Sequence, residues 1–372
     1  MGSRLRRGGN AAARSGCVKP RPKTPARFPA ERPETGSSPD RRPGRSEWFC
    51  QWAAPHERQG MPLFLSLRAG FLVGLATLGL SAAEIPEVIP LWPGKPPGSE
   101  KIAFTEKITE RSTSTWKHDR FVSQIAEPSL TVFRPKNPNG AVVIIAPGGG
   151  WARIVLDKEG ADTAAWLNQL GVTVFLLKYR LATEGHENAQ DVGLQDAQRA
   201  MRLVRSRASG WGLDPKRIGF LGFSAGGHLA ATIEFFSDKR VYQPVDEVDA
   251  TAARPDFSIL GYAPAGALPS TGRSASAVGR MLQDYRIVAA PGAKYPPTFI
   301  LHADDDRAVP AQNAAMTYLE LKKAGATGEL HVFKSGGHGF GVREAEGPVA
   351  RWPELCADWL REIGVLGTTG KS

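Results

Sequence analysis

Cysteine is scarce in this 372-residue sequence, and its positions exclude several kinds of site. Of the three cysteines, Cys17 and Cys50 precede residue 61, and only Cys356 follows it. The region after residue 61 therefore has no partner for an internal disulfide and no cysteine cluster of the kind that binds zinc. Cys356 falls within a helix-like stretch at 352–363, where we expect a small buried hydrophobe rather than a nucleophile.

The sequence also lacks an excess of charge outside its first 60 residues. The formal net charge is +10, but residues 1–60 hold 13 Lys/Arg against five Asp/Glu, a net of +8. Residues 61–372 hold 34 against 32, a net of +2, without a basic stripe that could follow a phosphate backbone. We therefore expect no nucleic-acid partner for the main body. A nucleic-acid binder acting through the basic leader is the alternative.

Residues 1–60 lack the apolar periodicity of a folded segment. Arginine- and proline-rich runs such as 39–45 predict a disordered basic leader. A wrongly assigned start is the other interpretation, because a second start, Met61, follows.

From Met61 onward the pattern is that of a secretory signal peptide. Arg68 supplies the positive charge, residues 71–80 the apolar stretch, and Ser, Ala and Ala at 81–83 the cleavage signal. The apolar run is short of the roughly 20 residues of a membrane span. The pattern predicts a signal peptide at 61–83 and a secreted or periplasmic chain from residue 84, with an uncleaved membrane anchor as the alternative.

Strand-like and helix-like segments alternate after residue 84, without repeats or a long linker. Residues 84–135 are expected to add antiparallel edge strands, most clearly at 130–133. The predicted buried strands lie at 141–146, 172–177, 217–223, 257–262, 298–302 and 330–333, and the helices at 158–170, 191–207, 224–235, 311–324 and 352–363. This alternation predicts an α/β fold with a mostly parallel central sheet flanked by helices, in a single domain over 84–372. Only residues 262–296 leave room for a lid, so we expect little or no cap.

The motif Gly-Phe-Ser-Ala-Gly at 222–226 lies between a predicted strand and a predicted helix. That context is typical of a nucleophile elbow, in which the glycines allow a tight bend that exposes the serine hydroxyl. The start of the helix also places backbone N–H groups near developing negative charge. Ser224 is therefore the predicted nucleophile. The alternative is a glycine-rich turn in which Ser224 caps the helix.

A serine nucleophile needs a base, and the base needs an orienting carboxylate, in the chain order Ser, acid, His. His338, in the glycine-rich loop after the last predicted strand, is the predicted base. Asp306, in the loop after the strand at 298–302, is the favoured acid, with Asp304 and Asp305 as alternatives. We expect the other histidines after residue 61 to be exposed or structural: His118, His186, His228, His302 and His331.

An oxyanion hole requires backbone donors near the nucleophile. One predicted donor is the N–H of Ala225. The others are Gly149 and Gly150, because three consecutive glycines at 148–150 let N–H groups turn inward without side-chain clashes. A simple glycine loop is the alternative. Trp151 is predicted to wall the substrate pocket, or simply to pack.

These motifs together resemble the α/β-hydrolase superfamily over about 90–365, and most closely its secreted acetyl-esterase and acetylxylan-esterase-like branch. Some members of that branch carry the label xylanase. The resemblance rests on Pro-Gly-Gly-Gly-Trp at 147–151, Lys-Tyr-Arg-Leu at 178–181, Asp-Pro-Lys-Arg-Ile-Gly at 214–219, Gly-Phe-Ser-Ala-Gly-Gly-His at 222–228, and the Asp306 and His338 loops. It implies that Asp196 and Arg199 tie a helix to the sheet. Pro147 departs from the hormone-sensitive-lipase type, which has His there, so the support of the loop must differ.

The sequence thus predicts a carboxylic ester hydrolase that works by two-step acyl transfer, without a metal or organic cofactor. Export and the small cap favour short acyl groups, such as acetyl, on small-molecule or polysaccharide carbohydrate substrates. Two alternatives are a peptidase resembling the prolyl-oligopeptidase catalytic domain and a non-catalytic binding protein with this fold. The chain lacks the length for a propeller, and the complete Ser–Asp–His order argues against a binding protein. No stable membrane insertion is expected after signal cleavage, and no oligomeric state is predicted.

Overall fold

The computed structural model describes residues 87–266 and 276–367. The predicted leader at 1–60 and signal segment at 61–83 lie outside the described residues, as do residues 267–275 of the expected lid region. Among the described residues, no helix is both long and apolar enough to cross a membrane.

Two sheets form the strand framework of the described residues. Their strands are β1 (Val88–Pro90), β2 (Lys107–Glu110), β3 (Arg120–Ser123), β4 (Ser129–Phe133), β5 (Val142–Ala146), β6 (Ile154–Val155), β7 (Thr173–Lys178), β8 (Ile218–Phe223), β9 (Phe257–Gly261), β10 (Thr298–Ala303) and β11 (Gly328–Phe333). Eight of them make the main sheet in the order β1-β4-β7-β5-β8-β9-β10-β11. β4 runs antiparallel to both of its neighbours, and the strands from β7 to β11 are parallel. The predicted mostly parallel sheet is confirmed.

Helices cover both faces of this sheet. They are α1 (Asp162–Gln169), α2 (Val192–Arg207), α3 (Ala225–Phe236), α4 (Ala277–Asp284), α5 (Gln312–Lys323) and α6 (Trp352–Glu362). A π-helical turn, Asp157–Ala161, leads into α1. Buried residues of α2, α3, α4 and α5 join one apolar cluster, and those of α1 and α6 join the other.

Alternation along β5 explains how one strand serves both clusters. Val142 and Ile144 belong to the cluster under α2 and α3, whereas Val143 and Ile145 belong to the cluster under α1 and α6. Successive side chains of a strand point to opposite faces, so a strand covered on both faces must be apolar throughout. This is why an uninterrupted apolar run marked the strand in the sequence.

Buried charges tie α2 to the ends of two strands. The Asp196 carboxylate accepts hydrogen bonds from the backbone N–H of Arg180 and from its guanidinium, both at 2.8 Å. Arg199 donates to the carbonyl of Leu91, just after β1, and forms an ion pair with Asp246. Asp196 and Arg199 therefore have the structural role that the resemblance implied.

The region before residue 135 departs from the sequence expectation in part. β1 and β4 are antiparallel edge strands of the main sheet, as expected. β2 and β3 instead form a separate three-stranded sheet with β6. β2 is mostly exposed and β3 has one fully buried residue, so neither has the apolar faces that a doubly covered sheet requires. Helix α4 was also not predicted.

Candidate active site

The nucleophile turn is built by close backbone approach. β8 ends at Phe223 and α3 begins at Ala225, which leaves Ser224 at the bend with φ 52° and ψ −119°. A methyl group added at Gly222 would lie 2.0 Å from the carbonyl oxygen of Gly226. One added at Gly226 would lie 1.9 Å from the carbonyl oxygen of Ala146. Only glycine fits at both positions, and the resulting turn holds Ser224 in a strained conformation with positive φ.

Three side chains form one hydrogen-bonded chain at this bend. Ser224 Oγ lies 2.8 Å from His338 Nε2, and His338 Nδ1 lies 2.6 Å from Asp306 Oδ2. They follow β8, β11 and β10, whose carboxyl ends meet at one edge of the sheet. The structure thus brings together the three residues that the sequence singled out as nucleophile, base and acid.

Asp306 is held as an anion although it is buried. The N–H groups of Ala308 and Val309 donate to its Oδ1 at 2.8 and 2.9 Å. Burial favours the protonated acid, but hydrogen bonds from His302 and His338 outweigh it and hold the pKa of Asp306 well below its ordinary value. The carboxylate is therefore available to orient the imidazole at neutral pH.

The two neighbouring aspartates have different surroundings. Asp304 and Asp305 are exposed, whereas Asp306 is 6% exposed. Asp305 accepts hydrogen bonds from the N–H groups of Gly336 and Gly337 at 2.9 and 2.8 Å. Asp305 therefore fastens the histidine loop (residues 335–341), and of the three aspartates Asp306 is the one that contacts His338.

The predicted oxyanion loop, residues 147–151, lies directly against the nucleophile. A methyl group added at Gly148 would lie 2.8 Å from Ser224 Cβ. Gly149, Gly150 and Trp151 all have positive φ, at 141°, 66° and 60°. Gly149 and Gly150 adopt such φ values without side-chain strain, which agrees with the glycine-rich loop expected here.

The other five histidines of the described residues bind partners other than Ser224. Burial lowers the pKa of His228 to about 4, so its ring is neutral. This ring packs edge-on against Trp151, with 6.1 Å between ring centroids. The other contacts are His118 with Glu110, His186 with Ser99, His302 with the carbonyl of Val309, and His331 with Glu329.

Known proteins share the sequence around this site. A family model described as BD-FAE matches residues 130–260. The acetylxylan esterase of Xylanibacter ruminicola is 29% identical over 246 residues, which cover 63% of this chain and 48% of that protein. Endo-1,4-beta-xylanase B of Butyrivibrio fibrisolvens is 27% identical over 216 residues, covering 55% of this chain and 33% of that protein. The chain thus spans about half or less of the curated relatives that it matches.

Solved structures match over more of their length. The acetyl ester-xyloside bifunctional hydrolase of Caldicellulosiruptor lactoaceticus has a TM-score of 0.58 and 29% identity, covering 76% of this chain and 98% of that one. The propionate-bound esterase Est2 of Thermogutta terrifontis has a TM-score of 0.54 and 25% identity, covering 66% and 92%. This chain has the α/β-hydrolase fold. The similarities confirm the esterase resemblance drawn from the sequence.

The predicted oxyanion loop has a support that the sequence did not reveal. The Tyr179 hydroxyl donates to the carbonyl of Pro147 at 2.8 Å, and the Glu159 carboxylate accepts from the N–H of Gly148 at 2.6 Å. These contacts hold the loop where Pro147 replaces a histidine. Tyr179 belongs to the Lys-Tyr-Arg-Leu motif and could have been suspected from it, but no motif pointed to Glu159.

Two spaces of very different size lie near the oxyanion loop and the histidine loop. A cavity of about 20 Å³ lies beside Ala225 and Trp151 and extends to His228 and Met281. An open groove of about 490 Å³ lies near the histidine loop, between Val342–Arg343 and the β2–β3 connection. The remaining residues that line this groove are Trp116, Lys117, His118, Asp157 and Asp162.

Proposed function

We propose that this chain is a serine esterase in which Ser224 is the nucleophile, His338 the general base and Asp306 the orienting acid. The observation that carries the proposal is the unbroken chain of hydrogen bonds from Ser224 Oγ through His338 to Asp306. This is the geometry by which a serine hydroxyl is activated toward a carbonyl carbon.

The proposed reaction has two acyl-transfer steps. His338 Nε2 takes the proton of Ser224 as Oγ attacks the ester carbonyl, and then returns it to the leaving alcohol. Water, deprotonated by the same nitrogen, attacks the acyl-enzyme and releases the acid and the serine. Asp306 keeps the Nδ1–H of His338 directed toward itself throughout, which fixes the working tautomer.

Backbone N–H groups of Ala225, Gly149 and Gly150 are the proposed oxyanion donors. The N–H of Gly148 is already bound to Glu159, so it is not among them. Donors of this kind typically contribute about 3 kcal/mol each to the transition state.

A short acyl group is the proposed substrate feature on one side of the serine. The described residues around Ala225 and Trp151 leave a cavity of about 20 Å³. A single water-sized group needs roughly 10–15 Å³ measured in this way, so the cavity suits an acetyl methyl. A butyryl chain needs its lining residues to move.

A carbohydrate is the proposed alcohol on the other side. The alcohol leaves toward His338, which protonates it, and the groove near the histidine loop combines polar side chains with the Trp116 side chain, 84% of which is exposed. An acetylxylan esterase and an acetyl ester-xyloside hydrolase among the similar proteins support this substrate class. Export is also part of the proposal and rests on the sequence of residues 61–83.

The test is hydrolysis of acetyl, butyryl and octanoyl p-nitrophenyl esters and of acetylated xylan by the full chain. Ser224→Ala serves as the matched variant. We expect activity that falls with acyl length, acetate release from xylan, and no turnover by the variant. Activity on a peptide panel alone, or no labelling of Ser224 by a fluorophosphonate, would overturn the proposal.

A further inference from the structure

Glu159 is a buried carboxylate that the proposed reaction does not use directly. It is 3% exposed and lies in the π-helical turn before α1. Its Oε2 accepts from the N–H of Gly148 in the oxyanion loop, and its Oε1 accepts from the hydroxyl of Tyr262, 2.9 Å away. Both carboxyl oxygens are thus engaged by donors from other segments of the chain.

Tyr262 continues this connection to the base. Its hydroxyl accepts from the N–H of Gly341, in the histidine loop, at 3.1 Å. Its ring packs edge-on against the His338 ring, with 5.0 Å between centroids. Tyr262 is fully buried and has φ 36°, so its position is fixed by its surroundings and not by local backbone preference.

These contacts form a continuous path from Gly148 through Glu159 and Tyr262 to Gly341. One end of the path carries the oxyanion loop and the other carries the histidine loop, and Ser224 lies between them. Burying the carboxylate is costly, and burial raises the pKa of Glu159 above its ordinary value, although both hydrogen bonds oppose this. The free-energy cost of burying this carboxylate is explained if both of its oxygens are needed as hydrogen-bond acceptors.

We propose that Glu159 is a positioning residue that holds the oxyanion loop and the histidine loop in register on either side of Ser224. It touches neither the substrate nor the reacting atoms. The inference rests on the proposed esterase function, because register between these loops matters only if both act on one tetrahedral intermediate.

Glu159→Gln is the sharpest variant, because it keeps the shape of the side chain and removes one acceptor. A glutamine oxygen can accept from Gly148 while the amide nitrogen donates to the Tyr262 oxygen, but the Tyr262 O–H then loses its acceptor; in the opposite orientation the amide nitrogen faces the N–H of Gly148. We expect kcat on p-nitrophenyl acetate to fall tenfold to a hundredfold while KM changes by less than threefold. The rate of fluorophosphonate labelling should fall with kcat, because phosphonylation also uses the oxyanion donors.

Glu234→Gln is the matched control for burial. Glu234 is also a buried carboxyl, bound by the Thr298 hydroxyl at 2.7 Å. Thr298 is the first residue of β10, at the amino end of that strand, whereas the loops of the site follow the carboxyl ends of the strands. We expect this variant to shift Tm but to leave kcat within twofold.

Tyr262→Phe tests the path itself. If Glu159 and Tyr262 act together, the double variant should lose little more activity than Glu159→Gln alone. The inference is overturned if Glu159→Gln folds and keeps an unchanged kcat. It is also overturned if Glu159→Gln and Glu234→Gln lose the same fraction of kcat at the same shift in Tm. Failure of the proposed function is separate, since unmodified protein would then neither hydrolyse the esters nor react with the fluorophosphonate.

Discussion

The two sides of Ser224 differ in the space that they leave. On the side of the oxyanion loop, Trp151, Ala225 and Met281 close around a cavity of about 20 Å³. Next to the histidine loop, at Val342 and Arg343, Trp116 helps to line an open groove of about 490 Å³. In the proposed reaction the acyl group enters the cavity and a carbohydrate alcohol extends toward the groove, so this difference predicts strong selection on the acyl group and weak steric selection on the alcohol.

The carboxyl groups that support the two sides also differ. Burial raises the pKa of Glu159, which binds backbone and a tyrosine hydroxyl. Although burial also opposes ionisation of Asp306, hydrogen bonds from His302 and His338 hold the pKa of that carboxyl low. Glu159 connects the oxyanion loop to the histidine loop, and Asp306 keeps a negative charge next to an imidazole, so substitutions of the two carboxyl groups should fail in different ways.

The largest effect is expected from Asp306→Asn on the histidine side. Loss of the anion leaves His338 free to adopt the wrong tautomer, so kcat on p-nitrophenyl acetate should fall by about 10⁴. Asp305→Asn is the matched variant, since Asp305 binds the N–H groups of Gly336 and Gly337 instead of His338, and its substitution should cost about tenfold or less in kcat. Equal losses in the two variants would remove Asp306 from the acid role.

Gly149→Ala probes the oxyanion side and should have the next largest effect. Its methyl group would lie 2.1 Å from the carbonyl oxygen of Arg153, so the loop must shift. Displacing one donor costs about 3 kcal/mol, or roughly a hundredfold in kcat/KM for p-nitrophenyl acetate. Gly150→Ala meets no atom within 4 Å and carries only the cost of φ 66°, on the order of 1–2 kcal/mol. A smaller loss of kcat/KM for Gly149→Ala than for Gly150→Ala would contradict this account of the loop geometry.

The sequence predicted Ser224 and His338 but not Glu159, and the reason is physical. Ser224 and the strands could be predicted because glycine spacing and apolar runs follow from local backbone geometry, and His338 because the fold fixes the chain order of nucleophile, acid and base. Glu159 could not, because its partner Tyr262 is 103 residues away and no periodicity reports such a pair. The separate sheet of β2, β3 and β6 was missed for the same reason, since its pairing brings Phe121 opposite Val155.

Met281→Ala should relax selection on the acyl side. Met281 lines the small cavity from α4, and its truncation makes room for two further methylenes. Each buried methylene contributes about 0.8 kcal/mol, so the butyryl-to-acetyl ratio of kcat/KM should rise by roughly tenfold. Leu319→Ala, at a side chain that is 56% exposed on α5, is the control and should leave the ratio unchanged. An unaltered ratio for Met281→Ala would show that this cavity does not receive the acyl group.

The smallest effect is expected from Trp116→Ala in the groove, and it should depend on the alcohol. Covering roughly 40 Å² of the exposed indole at about 25 cal/mol per Å² contributes about 1 kcal/mol, a factor of about five. The ratio of kcat/KM on acetylated xylan to that on p-nitrophenyl acetate should fall by this factor, because only the polymer extends along the groove. Ile108→Ala removes an exposed apolar side chain from β2, outside the groove lining, and should not change the ratio.

Direct binding of xylan by Ser224→Ala, with and without Trp116→Ala, separates affinity from turnover. Equal xylan affinity with and without Trp116 would mean that the groove accommodates the carbohydrate without a favourable contact from the indole. The groove and the small cavity would then differ only in volume.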